Sequence, residues 1–246
     1  MSKGTIRQIL LITDGCSNQG EDPVRVSEQI AKQGISVNVI GVLEDDQTED
    51  PTGLTEVNDI AEAGNGVSRI VYAEELSETV QMVTQQAITQ TIQSYVSKEL
   101  KDIFGKEVNE EELSPETKEE VHEIVEDLGE TVDLQVLILI DTSASMQHKM
   151  SAVRESLNDL VISLRSRLGG YYFSIYHFPT RRQITKRLLS WTNEGAEIAK
   201  VFPKLATGGI TPTGAALKEA VKMFDEEVIG EEQDYDIIDS SYRSSS

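Results

Sequence analysis

The chain has 246 residues, 38% of them hydrophobic and only 5% aromatic, so aliphatic side chains must fill the core of one large domain or two small ones. Its 43 acidic and 22 basic residues give a formal net charge of −21, which disfavours nucleic acid and anionic membrane surfaces as partners and suits a cation or a basic surface. A single cysteine, Cys16, excludes an internal disulfide and a multi-cysteine zinc site.

Ile9-Leu10-Leu11-Ile12 is an unbroken apolar run ended by Thr13-Asp14-Gly15, and predicts a buried strand with its exit loop. The run is too short for the core of a signal peptide, and no stretch approaches the length of a membrane span, so the cytoplasm is the expected compartment. Asp22 and Pro23 then mark a helix start, with Val26, Ile30 and Ala31 on its stripe and Gly34 closing it. Residues 37–42 predict a second buried strand. A helix over 54–63 ends at Gly64-Asn65-Gly66, and 69–72 predict a short third strand. From Glu75 onward, Val80, Val83, Ala87, Thr91 and Tyr95 recur at helical spacing and predict one long helix.

Between 99 and 130 the composition turns densely acidic. Ser114-Pro115-Glu116 is a helix start, with Val121, Ile124, Val125 and Leu128 behind it, so this stretch reads as a helical connector whose acids form a solvated face. Val136-Leu137-Ile138-Leu139-Ile140 is the most hydrophobic run of the chain and predicts a central strand ending at Asp141. The helix after it carries Val153, Leu157, Leu160, Val161 and Leu164 on one stripe. Gly169-Gly170 turn that helix into a strand over 171–178, followed by a strand over 184–191, a helix over 193–202, a loop over 206–214 and a helix over 215–228. The tail beyond Gly230 is acidic, then Ser-rich, and is expected to lack a packed structure.

Strands alternating with helices predict a Rossmann-like, mostly parallel sheet covered by helices on both faces. Ligand sites in such sheets lie beyond the carboxyl ends of the strands, which places Asp14 and Asp141 on one rim. Asp141-Thr142-Ser143-Ala144-Ser145 offers one carboxylate and two hydroxyls at i, i+2 and i+4, just where the next helix begins. That donor set suits a hard cation: Mg²⁺ above all, with Mn²⁺ or Ca²⁺ as alternatives. The string is short enough to recur by chance, and serines at a helix start are ordinary caps, so its weight comes from its placement after a buried strand. Gly208-Gly209-Ile210-Thr211-Pro212-Thr213-Gly214 is a second hydroxyl-bearing loop before a helix; alone it reads as a turn and an N-cap.

Taken together, the three segments resemble the metal-ion-dependent adhesion site of von Willebrand factor A (VWA) domains. The resemblance covers most of the chain outside the acidic connector and the tail, and is nearest to A-domain proteins of spore-forming bacilli. It implies a metal held by Asp141, Ser143, Ser145 and Thr211, with Thr213 taking the last place if the loop aligns two residues later. Asp14 joins the set, acting through water. Standard domains of the family run from the Asp-x-Ser-x-Ser segment to the Thr loop and then to the Thr-Asp-Gly strand. Here the late half comes first, which implies a circular permutation: residues 1–98 as the C-terminal half of the fold, 99–132 as the acidic connector, 133–230 as the N-terminal half, and 231–246 as the tail.

Other chemistries lack their motifs: the chain has no G-x-S-x-G, no P-loop, no H-E-x-x-H and no G-x-G-x-x-G. His122, His148 and His177 lie far apart in sequence, with His148 read as a surface residue and Cys16 as a small packed residue rather than a redox sensor. The function implied is a non-enzymatic interaction module whose ion keeps an open position for an Asp or Glu of a partner protein. Two other readings stay open: a Mg²⁺-dependent phosphoryl-transfer or hydrolytic enzyme, which needs a nucleophile or base beside the metal, and a structural subunit with a vestigial metal site. A monomer is expected, with a domain-swapped dimer as the alternative.

Overall fold

The most apolar runs of the chain become the two central strands. In the computed structural model, which describes residues 4–15, 17–43, 51–104, 114–202 and 207–225, β1 (Thr5–Thr13) lies parallel to β4 (Asp133–Asp141), in register from Thr5 opposite Asp133 to Ile12 opposite Ile140. β2 (Ile35–Leu43) and β3 (Ser68–Tyr72) extend the sheet beyond β1, and β5 (Tyr171–Phe178) extends it beyond β4, all in parallel. β6 (Lys186–Thr192) closes the far edge antiparallel to β5, giving the order β3-β2-β1-β4-β5-β6. The expected α/β architecture with a mostly parallel sheet is the observed one.

Alternation along β1 shows why both faces need cover. Leu10 and Ile12 join one apolar cluster, and Ile9 and Leu11 join the other. The first face is covered by α3 (Leu76–Phe104), α4 (Pro115–Thr131), α5 (Met150–Arg165) and the single turn α6 (Ile198–Val201). The second is covered by α1 (Pro23–Ala31), α2 (Pro51–Ala63) and α7 (Thr213–Ala220). The helix starts read from the sequence are real caps: Asp22 accepts a hydrogen bond from the Val24 amide, and Ser114 accepts one from Thr117. No described helix is long and apolar enough to cross a membrane.

Several expectations shift. Steps of four residues drift around a helix by about 40° each, so the stripe drawn through Thr91 and Tyr95 leaves the core. Ile88 and Ile92 take those places and Tyr95 is 58% exposed. On α4 only Val125 is buried among the apolar positions, with Ile124 and Leu128 facing solvent, because that helix meets α3 along a narrow contact. Arg167 clamps its end by donating to the carbonyls of Gly129 and Val132. The boundary at 98 falls inside α3, which runs unbroken to Phe104. The helix expected over 193–202 is a 3₁₀ turn, Gly195–Glu197, followed by α6. The last helix starts at Thr213, two residues early, and passes at Val221 into a 3₁₀ turn. Cys16, most of the acidic run before Ser114, and the tail lie outside the described residues.

Candidate metal centre

β4 delivers Asp141 to the carboxyl rim fully buried. The chain then turns through Thr142 and Ser143 into a 3₁₀ segment, Ala144–Lys149, that feeds α5. One Asp141 oxygen accepts from the Ser143 amide at 2.8 Å; the other accepts from Thr13 Oγ1 at 2.8 Å. The second bond exists because β1 and β4 are hydrogen-bonded neighbours that end together. Ser143 Oγ and Ser145 Oγ lie 3.2 Å apart, the first buried and the second exposed, so the cluster opens to solvent on the Ser145 side. Burial raises the Asp141 carboxyl to about 6 against the pull of the Ser143 amide and the Thr13 and Ser143 hydroxyls, and the charge of Asp14 pushes the same way as burial.

Asp14 follows the end of β1 and is differently placed. Its Oδ2 lies 2.8 Å from Lys149 Nζ, in an ion pair whose side chains are only 10% and 3% exposed. The rim therefore holds one carboxylate served by neutral donors and one committed to an ammonium.

The Thr loop reaches this rim by two ties. Gly208 N donates to the Thr142 carbonyl at 2.8 Å; Thr211 N donates to Asn18 Oδ1 at 2.8 Å while Asn18 N donates back to the Thr211 carbonyl. Gly208 and Gly209 both have positive φ, which glycine alone adopts without strain. A side chain at Gly214 would run into the Glu21 carbonyl, so α7 can start against the segment before α1 only with glycine there. Thr211 is buried. Thr213 Oγ1 is buried and has no hydrogen-bond partner among the described residues. All five candidate residues, Asp14, Asp141, Ser143, Ser145 and Thr211, thus belong to segments that meet at one end of the sheet, with Thr213 beside them.

Sequence reasoning missed the supporting residues. Lys149 had a signal: it stands three residues after buried Met146 and four before buried Val153, a charge inside an apolar stripe. His177 sits at a buried strand position, with Nδ1 3.0 Å from Thr142 Oγ1. Burial, reinforced by Lys186, lowers its pKa to about 4, so the ring is neutral. Glu56 accepts from the Ser17 amide, and burial raises its carboxyl above the usual range. Neither pairing has a local sequence pattern.

Among the described residues no group of three or more His, Cys, Asp or Glu side chains is placed to hold a metal. A site here must lean on hydroxyls and water around one or two carboxylates, and that oxygen-only set fits a hard divalent cation.

A model of the von Willebrand factor type A domain matches residues 135–235, and a second model with the same description matches residues 1–70. An uncharacterised protein of Bacillus subtilis (strain 168), YabS, is 53% identical over 225 residues, 92% of this chain and 91% of that protein. The crystal structure of an uncharacterised protein from Alicyclobacillus acidocaldarius is similar with a TM-score of 0.79 and 38% identity, covering 89% of this chain and 94% of the other. Proximal thread matrix protein 1 of the mussel byssus, solved with a zinc-occupied MIDAS motif, is far more distant at 16% identity and a TM-score of 0.32, covering 92% of this chain and 48% of that one.

Proposed function

Because this chain belongs to the von Willebrand factor type A domain family, we propose that it is a divalent-metal-dependent protein-interaction module. Asp141, Ser143, Ser145 and a threonine of the 207–214 loop would hold the ion, Mg²⁺ or else Mn²⁺ or Ca²⁺, and Asp14 would act through water. The observation that carries this reading is the Asp141 carboxylate itself: fully buried, satisfied only by neutral donors, and followed by two hydroxyls in mutual contact. Desolvation makes that anion costly without a cation. An ion held by one carboxylate and neutral oxygens keeps net positive charge, and a partner Asp or Glu can complete its shell.

A binding role is favoured over catalysis by what surrounds the site. The Ser143 hydroxyl meets Ser145 and the Asp141 carboxylate, which this reading assigns to the ion, while the buried imidazole of His177 contacts Thr142. Proton transfer to a reacting water or hydroxyl needs a base that touches it. The permuted order of the halves is part of the same proposal, supported by the family matches at 1–70 and 135–235 and by β1 pairing with β4 along nearly its whole length. Both apolar clusters draw on both halves, so neither half, 1–98 or 133–230, should fold alone. We take the chain to be monomeric and cytoplasmic. A domain-swapped dimer would place the same strands together between two copies, and light scattering separates the two.

The test compares wild type with Asp141→Ala. Millimolar Mg²⁺ or Mn²⁺ should raise the melting temperature of the first and leave the second unmoved. Equal shifts would remove Asp141 from the site.

A further inference from the structure

A cleft of about 860 Å³ opens beside the proposed metal centre, between the β5–β6 connection and the Thr loop. Its walls carry Arg181, Arg182, Lys186 and Arg187, all with exposed side chains, and none of the described residues lining it is acidic. In a chain with 43 acids and 22 bases, four cations in one concave site are a local reversal of sign. His177 forms part of the floor and is neutral, so the positive charge there is that of the arginines and Lys186.

The cleft and the metal rim share a wall. Residues 207–210 line the cleft, Gly208 donates to the carbonyl of Thr142, and Thr142 lies between Asp141 and Ser143. His177 touches the same Thr142 from the cleft side. A chain segment whose carboxylate reached the metal could continue across this shared wall into the basic cleft. Elsewhere the charge of the protein repels acids; here it attracts them, which selects a partner by the neighbours of the ligating carboxylate.

We propose that this cleft is the specificity subsite of the module and receives an acidic stretch of the partner protein, flanking the carboxylate that completes the metal shell. The metal half of this statement rests on the proposed function; the basic cleft does not. Nucleic acid would also be drawn to the arginines and its phosphates to a hard cation, but the rest of the surface, in a chain of net charge −21, repels a long polyanion.

Binding of a fluorescein-labelled octaglutamate peptide to the full chain, followed by anisotropy at low and moderate salt, tests the assignment. Wild type in Mg²⁺ should bind it. R181E/R182E should weaken binding about tenfold or more while its Mg²⁺-induced rise in melting temperature is retained. Asp141→Asn, or chelator, should remove only the metal-dependent part of wild-type binding. If R181E/R182E binds octaglutamate as wild type does, the cleft assignment is wrong even where Mg²⁺ still binds. If Mg²⁺ and chelator have no effect but R181E/R182E still loses the peptide, the cleft stands and the metal reading falls. An oligothymidylate that binds wild type more tightly than octaglutamate and is lost in R181E/R182E would overturn the acidic-peptide assignment. So would peptide binding that emerges only after Glu231, Glu232, Asp234 and Asp236 are neutralised, because the occupant would then be this chain's own C-terminal segment.

Discussion

Asp141 and Asp14 stand at or just past the ends of adjacent central strands, on the same rim, and look equivalent on paper. Their surroundings make them opposites. Asp141 is enclosed by backbone and hydroxyl donors, and its carboxyl is raised to about 6 by burial. Asp14 is paired with the buried ammonium of Lys149. The first is met by neutral donors; the second is balanced by a cation. In a parallel sheet, position at a strand end brings a carboxylate to the rim where ligands bind, but the residues that pack on it decide whether its charge is already balanced.

The largest effect expected from this difference is at Asp141. In the metal-free protein at pH 7, Asp141→Asn removes a desolvated charge and should stabilise by up to roughly 3 kcal/mol, since Thr13 Oγ1 can accept from the new amide as readily as it donated to the carboxylate. The same variant should lose the metal response. Wild type at a Mg²⁺ concentration about a hundredfold above Kd should gain about 3 kcal/mol, a rise in Tm of roughly 5–10 °C for a domain of this size. A thermal melt with and without Mg²⁺ reads both. A metal-free Asp141→Asn less stable than wild type would show that the carboxylate has a structural role instead.

The Asp14–Lys149 pair should answer in the other sense. Lys149→Met leaves a buried carboxylate unpaired and Asp14→Asn leaves a buried ammonium unpaired, each costing about 3 kcal/mol of metal-free stability. Their effects on the ion should have opposite signs. Lys149→Met adds a free negative charge near the site and should tighten Mg²⁺ binding; Asp14→Asn leaves a bare cation there and should weaken it. Calorimetric titration of both variants measures the split. Movement in the same direction would mean that the pair does not face the ion.

Acid sharpens the contrast between Asp141 and its neutral neighbour His177. The Asp141 pKa is raised on folding, so its contribution to metal-free stability is fully present below the unfolded value near 4 and is lost as pH rises through about 6. His177 is lowered, so its contribution is present above the unfolded value of 6.5 and is lost as pH falls through about 4. The two oppose each other between pH 4 and 6. Removing one should expose the other: metal-free Asp141→Asn should lose stability on acidification more steeply than wild type, as urea midpoints across that range will show. Mg²⁺ binding by wild type should weaken as pH falls through about 6, when a proton competes for the carboxylate.

How much of this was legible in the sequence follows from range. Runs such as Ile9 to Ile12 and Val136 to Ile140 announce buried strands because every residue in them agrees, and the strand-end rule then brings Asp14 and Asp141 to one rim. The hydroxyl spacing after Asp141 is local and could be read directly. The Lys149–Asp14 bond spans 135 residues, and no local pattern encodes it. The cleft is likewise a product of folding: the basic residues at 181 and 182 precede the strand predicted over 184–191 and those at 186 and 187 lie in it, and nothing local ties them to the rim until the antiparallel β6 and the glycine loop set them against it. The sequence suggested an acidic protein that repels carboxylates; the fold concentrates the exception beside the site.

The smallest expected effect decides which threonine serves the ion. Thr211 is fixed through its backbone by Asn18, in the stretch of loop that continues from the Gly208 tie to Thr142. Thr213 has already entered α7, with its hydroxyl buried and unpartnered among the described residues. An unpartnered buried hydroxyl costs stability, so Thr213→Val should be neutral or slightly stabilising, by about 1 kcal/mol at most, if that hydroxyl meets no ion. If Thr211 is the ligand, Thr211→Ala removes a neutral donor that water can replace, and should weaken Mg²⁺ severalfold rather than abolish it, by about 1 kcal/mol. Mg²⁺ titrations of the two variants give the assignment. If Thr213→Val carries the loss and Thr211→Ala does not, the ligand lies two residues further on, and the Asn18 tie to Thr211 serves to aim α7 at the ion.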